Sequence, residues 1–285
     1  MSIVRVVSYN IHKGRTATGN RESLEDLRLG LYNLSPDLMF LQEVQGRNQL
    51  QNSLDAQHES LAAALDMQAV YGLNAMREHT DHGNALVSRF PILQYENQDV
   101  SDHRLEQRGL LHAVIEVGGQ PVHCIVVHLG LFAKGRTRQT QALVQRIKDM
   151  VPPYEPLIIA GDFNDWSNKL APLFVEQLNL YEVFAFSPNA DQRRMFKLTR
   201  PVRWLRDSMG GGKDSRILTP SPELGAHGAA RMIPPPRTFP AVFPWLRLDR
   251  IYQRGFAVRN ARVLQGTPWT QLSDHAPIFA ELELP

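Results

Sequence analysis

The sequence predicts an α/β protein in which two packed β-sheets are flanked by helices. Short β-branched runs alternate with stretches of helical periodicity, which is typical of a mixed α/β fold. Residues 110–117 and 121–129 form apolar runs joined by Gly118-Gly119, and this two-residue connection favours a tight antiparallel hairpin. Many short strands, antiparallel pairing and helices for the outer faces together favour two sheets over one.

The first helix is predicted from leucines that recur every three or four positions over residues 24–34, before Ser35-Pro36 ends it. Further helices are predicted over 59–65 and 137–150. Strands are predicted over residues 3–9, 38–41, 85–88, 110–117, 121–129, 157–160, 248–252, 257–263 and 278–284. Residues 191–240, which carry a triple glycine and a triple proline, predict a long basic loop or lobe that forms part of a substrate wall.

Composition describes an ordinary globular protein; its length fits one domain as well as two, and we expect a single domain over residues 1–285. The 31 Lys and Arg residues nearly balance 29 Asp and Glu residues, so any attraction for phosphate must come from local clustering. Cys124 is the only cysteine, which excludes an internal disulfide and a thiolate zinc cluster. The N-terminus predicts a strand and lacks the features of a signal peptide, and no run of about 18 apolar residues could span a bilayer. We therefore expect a cytoplasmic monomer.

Polar residues stand at the ends of several apolar strands, an arrangement that aims side chains at one point. Asp162 and Asn164 are two apart, so on an extended segment both face the same side; a Gly-Asp turn explains the tetrapeptide equally well. Glu43 is either a solvated loop residue or a hard oxygen ligand for Mg²⁺. The complete series is Asn10, Glu43, Asn84, His128, Asp162, Asn164, Asp249, Asp274 and His275.

Two further members of the series have ordinary structural explanations as well. His128 fits a strand-end histidine satisfied in the core, and Asp249 fits a partner for Arg250 or another cation. Asp274-His275 is more specific, because no packing role prefers a Ser-Asp-His cluster before Ala276-Pro277. The set taken together carries more information than any one member.

The ordered motifs resemble the endonuclease/exonuclease/phosphatase superfamily, the DNase I-like proteins, in a bacterial subgroup of unassigned substrate. The resemblance runs from residue 8 to residue 275, and it implies a four-layered α/β/β/α sandwich of two mixed sheets. It is carried by Ser8-Tyr9-Asn10, Leu41-Gln42-Glu43, Gly83-Asn84-Ala85, Val127-His128-Leu129, Gly161-Asp162-Phe163-Asn164, Leu248-Asp249-Arg250-Ile251 and Ser273-Asp274-His275, with Thr238-Phe239-Pro240 as a further element.

What the resemblance implies is hydrolysis of a phosphate ester by in-line attack of water, with Mg²⁺ or alternatively Mn²⁺ as cofactor. Metal ligands would be Asn10, Glu43 and Asp274. Catalytic residues would be His128, Asp162, Asn164, Asp249 and His275. Asn84, His12 and Lys13 would contact substrate, although a turn into Gly14 explains His12 and Lys13 almost as well. Abasic-site endonucleases carry an acidic residue that contacts the metal at the position of His12, and this sequence departs from them there.

The substrate stays open at the level of sequence. A basic run with interleaved Phe196 and Trp204 suits nucleic acid, yet such a run is more often a solvated loop and equally suits anionic phospholipid headgroups. Phe239, Phe243 and Trp245 provide an apolar edge. Inositol phosphates and other phosphorylated metabolites are further candidates. A non-catalytic binding protein is the alternative class, but it would be expected to have lost a metal-binding or water-handling residue, and none is missing.

Overall fold

A computed structural model describes residues 2–46, 56–76, 80–103, 106–186 and 234–285, and the remainder of the predicted basic loop lies outside these ranges. Helices in the described ranges are α1 Leu24–Leu34, α2 Gln57–Leu65, α3 Ala133–Met150, α4 Ala171–Leu178, α5 Val183–Phe186 and α6 Trp269–Leu272. Strands are β1 Ser2–Asn10, β2 Leu38–Val44, β3 Gln68–Met76, β4 Asp81–Ser88, β5 Ile92–Asp99, β6 Gly109–Val117, β7 Gln120–His128, β8 Leu157–Asp162, β9 Tyr181–Glu182, β10 Asp249–Arg254, β11 Ala257–Val263 and β12 Ile278–Leu284.

The strands form two six-stranded sheets, which confirms the predicted pair of packed sheets. The first has the order β11-β12-β1-β2-β4-β3 and the second β5-β6-β7-β8-β10-β9. Each sheet is mixed, because β1 pairs with β2 and β7 with β8 in parallel whereas the other pairs are antiparallel. The predicted glycine hairpin is confirmed, since Val117 pairs with Gln120 across Gly118-Gly119.

Alternating side chains along the central strands divide the apolar core into three layers. Val6 and Ile158 point into the space between the two sheets, whereas Val7 packs under α1 and α2 and Ile159 packs under α3 and α4. A period of two on a strand that is buried on both faces produces this division. The result is the four-layered α/β/β/α sandwich.

Strands β3 and β5 and helix α4 escaped the sequence prediction. The two strands lie at sheet edges, where β3 is only partly buried and β5 leaves most of its side chains exposed. An edge strand needs no continuous apolar run, so its pattern is weak. None of the described helices is both long and apolar enough to cross a bilayer.

Candidate active site

The strand ends that carry the predicted polar residues meet at one edge of the sandwich. In the first sheet, Asn10 ends β1 beside Gln42 of the parallel strand β2, one residue before Glu43. In the second sheet, Asp162 ends β8 with His128 as its parallel neighbour and Asp249 opposite it on β10. The pairing of the backbones therefore already places these residues close to one another within each sheet.

Gly161 allows β8 to approach β7 closely just before Asp162. Its φ is 150°, and a Cβ there would lie 1.9 Å from the carbonyl oxygen of Val127. Only glycine fits this position, because a side chain would collide with the backbone of the neighbouring strand. The glycine thereby sets the position of the carboxylate that follows it.

Asp162 lies between two histidines in a buried cluster. Its Oδ2 is 3.6 Å from Nε2 of His128 and 3.8 Å from Nε2 of His275. His275 in turn places Nδ1 2.9 Å from Oδ2 of Asp249, which is buried with its Oδ1 left without a partner among the described residues. Nδ1 of His275 donates to the Asp249 carboxylate, and Nε2 on the other side of the ring faces Asp162.

Charges in this cluster are set by burial and by the carboxylates. Burial alone would lower the pKa of His275, but the charge and hydrogen bond of Asp249 and the charge of Asp162 raise it to about 10. Burial raises the pKa of Asp162, and His275 opposes that shift. Burial and the charge of Arg108 lower the pKa of His128 well below its usual value. One imidazolium and one neutral imidazole thus flank the Asp162 carboxyl group.

Asn164 belongs to the same cluster through the turn that follows β8. Its backbone N–H donates to Oδ1 of Asp162 over 2.9 Å, and its Nδ2 donates to the carbonyl oxygen of Leu129 over 2.8 Å. The sequence expectation of an extended segment is corrected in this detail, because Asn164 adopts φ of 49°. Its amide is nevertheless held against the Asp162 loop.

A second group of oxygens lies at the end of β1 and β2. Nδ2 of Asn10 donates to Oε1 of Glu43 over 3.3 Å. Ser273 joins Asp274 to this pair, because its Oγ lies 2.7 Å from the carbonyl oxygen of Asn10 and 3.3 Å from Oδ1 of Asp274. The Glu43 and Asp274 side chains keep about a quarter of their surface exposed, so they are accessible from solvent. We call the region between this group and the Asp162 cluster the cleft.

Glu43 is held in its ionised form. Burial would raise the pKa of Glu43, but the charge of His128 when it is protonated, the charge and hydrogen bond of Lys13 and the hydrogen bond of Asn10 lower it. Because His128 is neutral near pH 7, Lys13 is the relevant cation, and its Nζ lies 3.0 Å from Oε2 of Glu43. The carboxylate is therefore a ready cation ligand.

Backbone strain is concentrated in these loops. His12, Lys13, Glu43 and Asn164 all have φ between 47° and 58°, in the left-handed region. Such a conformation costs a non-glycine residue on the order of 1–3 kcal/mol and is concentrated at functional sites. At Glu43 it coincides with a register shift between β2 and β4.

The donor atoms present suit a hard divalent cation. Asn10, Glu43 and Asp274 offer amide and carboxylate oxygens, the ligands that Mg²⁺ takes from proteins, at the open side of the cleft. Asp162, Asp249 and His275 also place ligand atoms within 4.8 Å of one another. In that buried set, however, the protonated His275 already supplies the cation that the two carboxyl groups require.

Asn84 occupies a different place from the other predicted residues. It is completely buried, and its Nδ2 donates to the carbonyl oxygens of Gly109 and Val126 in the opposite sheet. Its Oδ1 has no partner among the described residues. Asn84 thus ties the two sheets together next to the cleft.

Sequence reasoning assigned no role to Ser273 or Thr238. Ser273 links β1 to the Asp274 loop, and Oγ1 of Thr238 accepts the backbone N–H of Asp249 over 3.3 Å. The ring of Phe239 lies 4.9 Å from that of His275. Their presence inside two of the quoted motifs was the available signal.

Comparison with known proteins decides the family. The sequence model of the Endonuclease/Exonuclease/phosphatase family matches residues 7–275. The chain belongs to this family. The endonuclease/exonuclease/phosphatase chain is also 36% identical over 288 residues to the uncharacterized protein YbhP of Escherichia coli K12, with 98% of this chain and 96% of YbhP covered.

Solved structures of the family share the fold at low identity. An endonuclease/exonuclease/phosphatase from Beutenbergia cavernae matches with a TM-score of 0.69 at 19% identity, covering 100% of this chain and 72% of that one. The mannosyl-6-phosphatase Bt3783 of Bacteroides thetaiotaomicron matches with a TM-score of 0.65 at 16% identity, covering 99% and 100%. TDP2 of D. rerio, complexed with a single-strand DNA product, matches at 0.62 and 19%, covering 99% and 100%.

Proposed function

We propose that this chain is a divalent-metal-dependent phosphoesterase that hydrolyses its substrate by in-line attack of water. One observation carries the proposal: the Asp162 carboxyl group lies within 4 Å of both His128 and His275, beside an ionised Glu43. Members of the family are hydrolases that act on phosphoesters, and this arrangement provides the groups that such a reaction needs.

Asn10, Glu43 and Asp274 are proposed to hold Mg²⁺, for which Mn²⁺ is the expected substitute. When bound, the ion neutralises phosphate oxygens and stabilises the leaving oxygen. The hydrogen bond from Asn10 to Glu43 orients the carboxylate, and Ser273 holds Asp274 beside them. These contacts support a pre-arranged oxygen site that needs little reorganisation on binding.

Asp162 is proposed to orient the attacking water and to accept its proton. Burial raises the pKa of this carboxyl group, which makes it a stronger base than an exposed aspartate. The Asn164 N–H holds Oδ1, so that Oδ2 is the oxygen that accepts the proton. The side chain of Asn164 would then fix the water or a phosphate oxygen.

His275 is proposed to bind the negative charge that develops on the phosphate. Asp249 holds its Nδ1–H, which leaves Nε2–H as a donor toward the substrate. Neutral His128 would supply a second donor to the phosphate or to the leaving group. Lys13 and His12 would contact substrate from the first sheet, with Asn84 supporting the same wall.

Turnover of a soluble diester tests this proposal directly. The purified chain should hydrolyse bis(p-nitrophenyl) phosphate with Mg²⁺ or Mn²⁺ and lose that activity in EDTA. Asp162→Asn should lower the rate by about 10²–10⁴, whereas Asp26→Asn, which removes an exposed carboxylate paired with Arg21, should leave it unchanged. An inactive wild type, or an active Asp162→Asn variant, would contradict the assignment.

Metal binding is tested separately from turnover by titration calorimetry. Glu43→Gln should weaken Mg²⁺ binding by at least about tenfold, because the variant removes a charged ligand. Glu25→Gln is the matched control, since Glu25 is exposed and pairs with Arg28 on α1. Equal affinity in wild type and Glu43→Gln would place the ion elsewhere.

A panel of substrates then assigns the ester. Abasic DNA, single-stranded DNA, RNA, sphingomyelin, cardiolipin and inositol phosphates should be compared with EDTA controls. The residues that suggested nucleic acid, from Arg193 to Arg216, lie outside the described ranges and do not discriminate among these substrates. A chain that leaves every ester intact with Mg²⁺ would favour the binding-protein alternative.

A further inference from the structure

Three loops leave the catalytic edge of the second sheet from adjacent strands. One follows His128 at the end of β7, the next follows Asp162 at the end of β8, and the third precedes Asp249 at the start of β10. Neighbouring strands are spaced by about 4.8 Å, so loops at the same edge form one continuous surface around the cleft.

Each of these loops exposes large apolar side chains. Phe132 is 64% exposed in the first loop, Trp166 48% in the second and Phe243 78% in the third. We call the set the apolar rim. It consists of Leu131, Phe132, Trp166, Val242, Phe243 and Trp245. Scattered exposed apolar residues need no explanation, but six on three adjacent loops around one cleft mark an interaction surface.

Direct contacts join the first two loops to each other and the third loop to Asp274, a proposed metal ligand. The guanidinium of Arg136 lies 5.2 Å over the ring of Trp166 and donates to the carbonyl oxygen of Leu131 over 2.9 Å, which joins the first two loops. In the third loop, the N–H of Ala241 donates to the carbonyl oxygen of Asp274 over 2.7 Å. A surface that contacts the third loop of the rim therefore lies next to Asp274 and the cleft.

Basic residues predominate in the same segments, although Arg136 is buried and Arg138 pairs with Asp102 of a neighbouring loop. Residues 129–138, 163–170 and 237–248 contain six lysines and arginines but a single carboxylate, that of Asp165. Asp165 is buried and accepts the N–H of Leu170 over 2.8 Å, so it closes its own loop. Lys134, Lys169 and Arg237 are exposed. The partner of this surface is accordingly anionic as well as apolar.

We propose that the apolar rim docks the cleft onto the surface of an anionic lipid bilayer, which makes the substrate a phosphoester carried by a lipid. The inference rests on the proposed function, because the rim matters through the cleft it surrounds. Tryptophan and phenylalanine insert at the boundary between headgroups and acyl chains, and each lysine near an anionic surface adds about 1 kcal/mol of attraction. Aliphatic Leu131 and Val242 favour a lipid over stacked nucleic acid bases, since they offer no aromatic face.

Vesicle sedimentation in EDTA tests docking without turnover. The full chain should bind vesicles of equal parts phosphatidylglycerol and phosphatidylcholine more tightly than vesicles of pure phosphatidylcholine. Phe243→Ala combined with Trp245→Ala should weaken that binding by about tenfold or more, and Lys134→Gln combined with Lys169→Gln should weaken it by about fivefold per lysine. Tyr154→Ala is the control, because Tyr154 is 85% exposed at the opposite end of β8.

Several outcomes overturn the inference. They are a wild type that does not sediment with anionic vesicles, a rim variant that binds them as tightly as wild type, and a rim variant that loses only single-stranded oligonucleotide binding or only self-association. The variants are surface changes, and circular dichroism should show them folded. Turnover of soluble diesters without vesicle binding would remove the inference and leave the proposed function standing. Vesicle binding without turnover of any ester would leave the docking surface standing and contradict both the proposed function and a lipid-borne substrate.

Discussion

Nδ1 of His275 donates to Oδ2 of Asp249 over 2.9 Å, although the two residues lie on separate segments of the chain. The carboxylate fixes the tautomer of the imidazole and keeps it protonated. Asp249→Asn preserves the shape but removes the charge, so we expect the turnover of a soluble diester to fall by about 10²–10⁴. Steady-state kinetics measure this, with Asp66→Asn at the exposed end of α2 as control. A rate within twofold of wild type would show that the role of His275 in turnover does not depend on the charge of Asp249.

Lys13 competes with metal for Glu43. Its Nζ occupies one carboxylate oxygen at 3.0 Å, so Lys13→Met should tighten Mg²⁺ binding by about two- to fivefold, the usual strength of such a partly exposed pair. The same variant should lower kcat/KM, because a phosphate contact is lost. Calorimetry and kinetics check the two effects, with Lys148→Met on α3 as control. Weaker Mg²⁺ binding would show instead that Lys13 orients the carboxylate.

Because His112 is buried in its neutral form, we expect the protein to lose stability in acid. Arg146 donates from Nε to Nδ1 of His112, so His112 donates from Nε2 to Nδ1 of His123, which donates to Glu155. Burial, with the charge of Arg146, lowers the pKa of His112 to about 3, whereas the unfolded chain has a histidine pKa near 6.5. The unfolded state therefore binds the proton first, and His112 alone should lower the free energy of unfolding by about 1.4 kcal/mol per pH unit below about pH 6.5.

Urea denaturation of wild type and His112→Gln between pH 7 and pH 5 isolates the contribution of His112, because the other groups that affect stability in this window, His128 and Asp162 among them, are common to both proteins. His112→Gln should be less stable at pH 7 but should flatten the dependence. The slope is the diagnostic quantity, because the variant also loses hydrogen bonds. An equally steep decline in His112→Gln would assign the acid sensitivity to other groups.

Gly161 should be intolerant of any side chain. Gly161→Ala puts a methyl group against the carbonyl of Val127, whereas Gly119→Ala, also at positive φ, meets no atom within 4 Å. We expect Gly161→Ala to lose at least about 2 kcal/mol more unfolding free energy than Gly119→Ala. Urea denaturation of both variants checks the difference. Equal losses would mean that β7 and β8 separate at little cost.

The strands that carry Asn10, Glu43 and Asp162 were predictable because each is a buried apolar run with a polar residue at its end. Their meeting at one edge was an expectation from the resemblance, and the structure brings them together. Edge strands β3 and β5 were not predictable, since exposure on one side erases the apolar pattern. The His112–His123 contact requires strand register, which the glycine hairpin determines but which no local pattern displays. The roles of the site residues stay predictions.

Ser273 bonds the carbonyl of Asn10 across 263 positions of sequence, and β12 pairs along β1. Strand β1 therefore completes its pairing only after β12 has been synthesised. A ribosome must therefore synthesise the chain through β12 before the two groups of site residues can meet, and a shorter nascent polypeptide lacks a complete site.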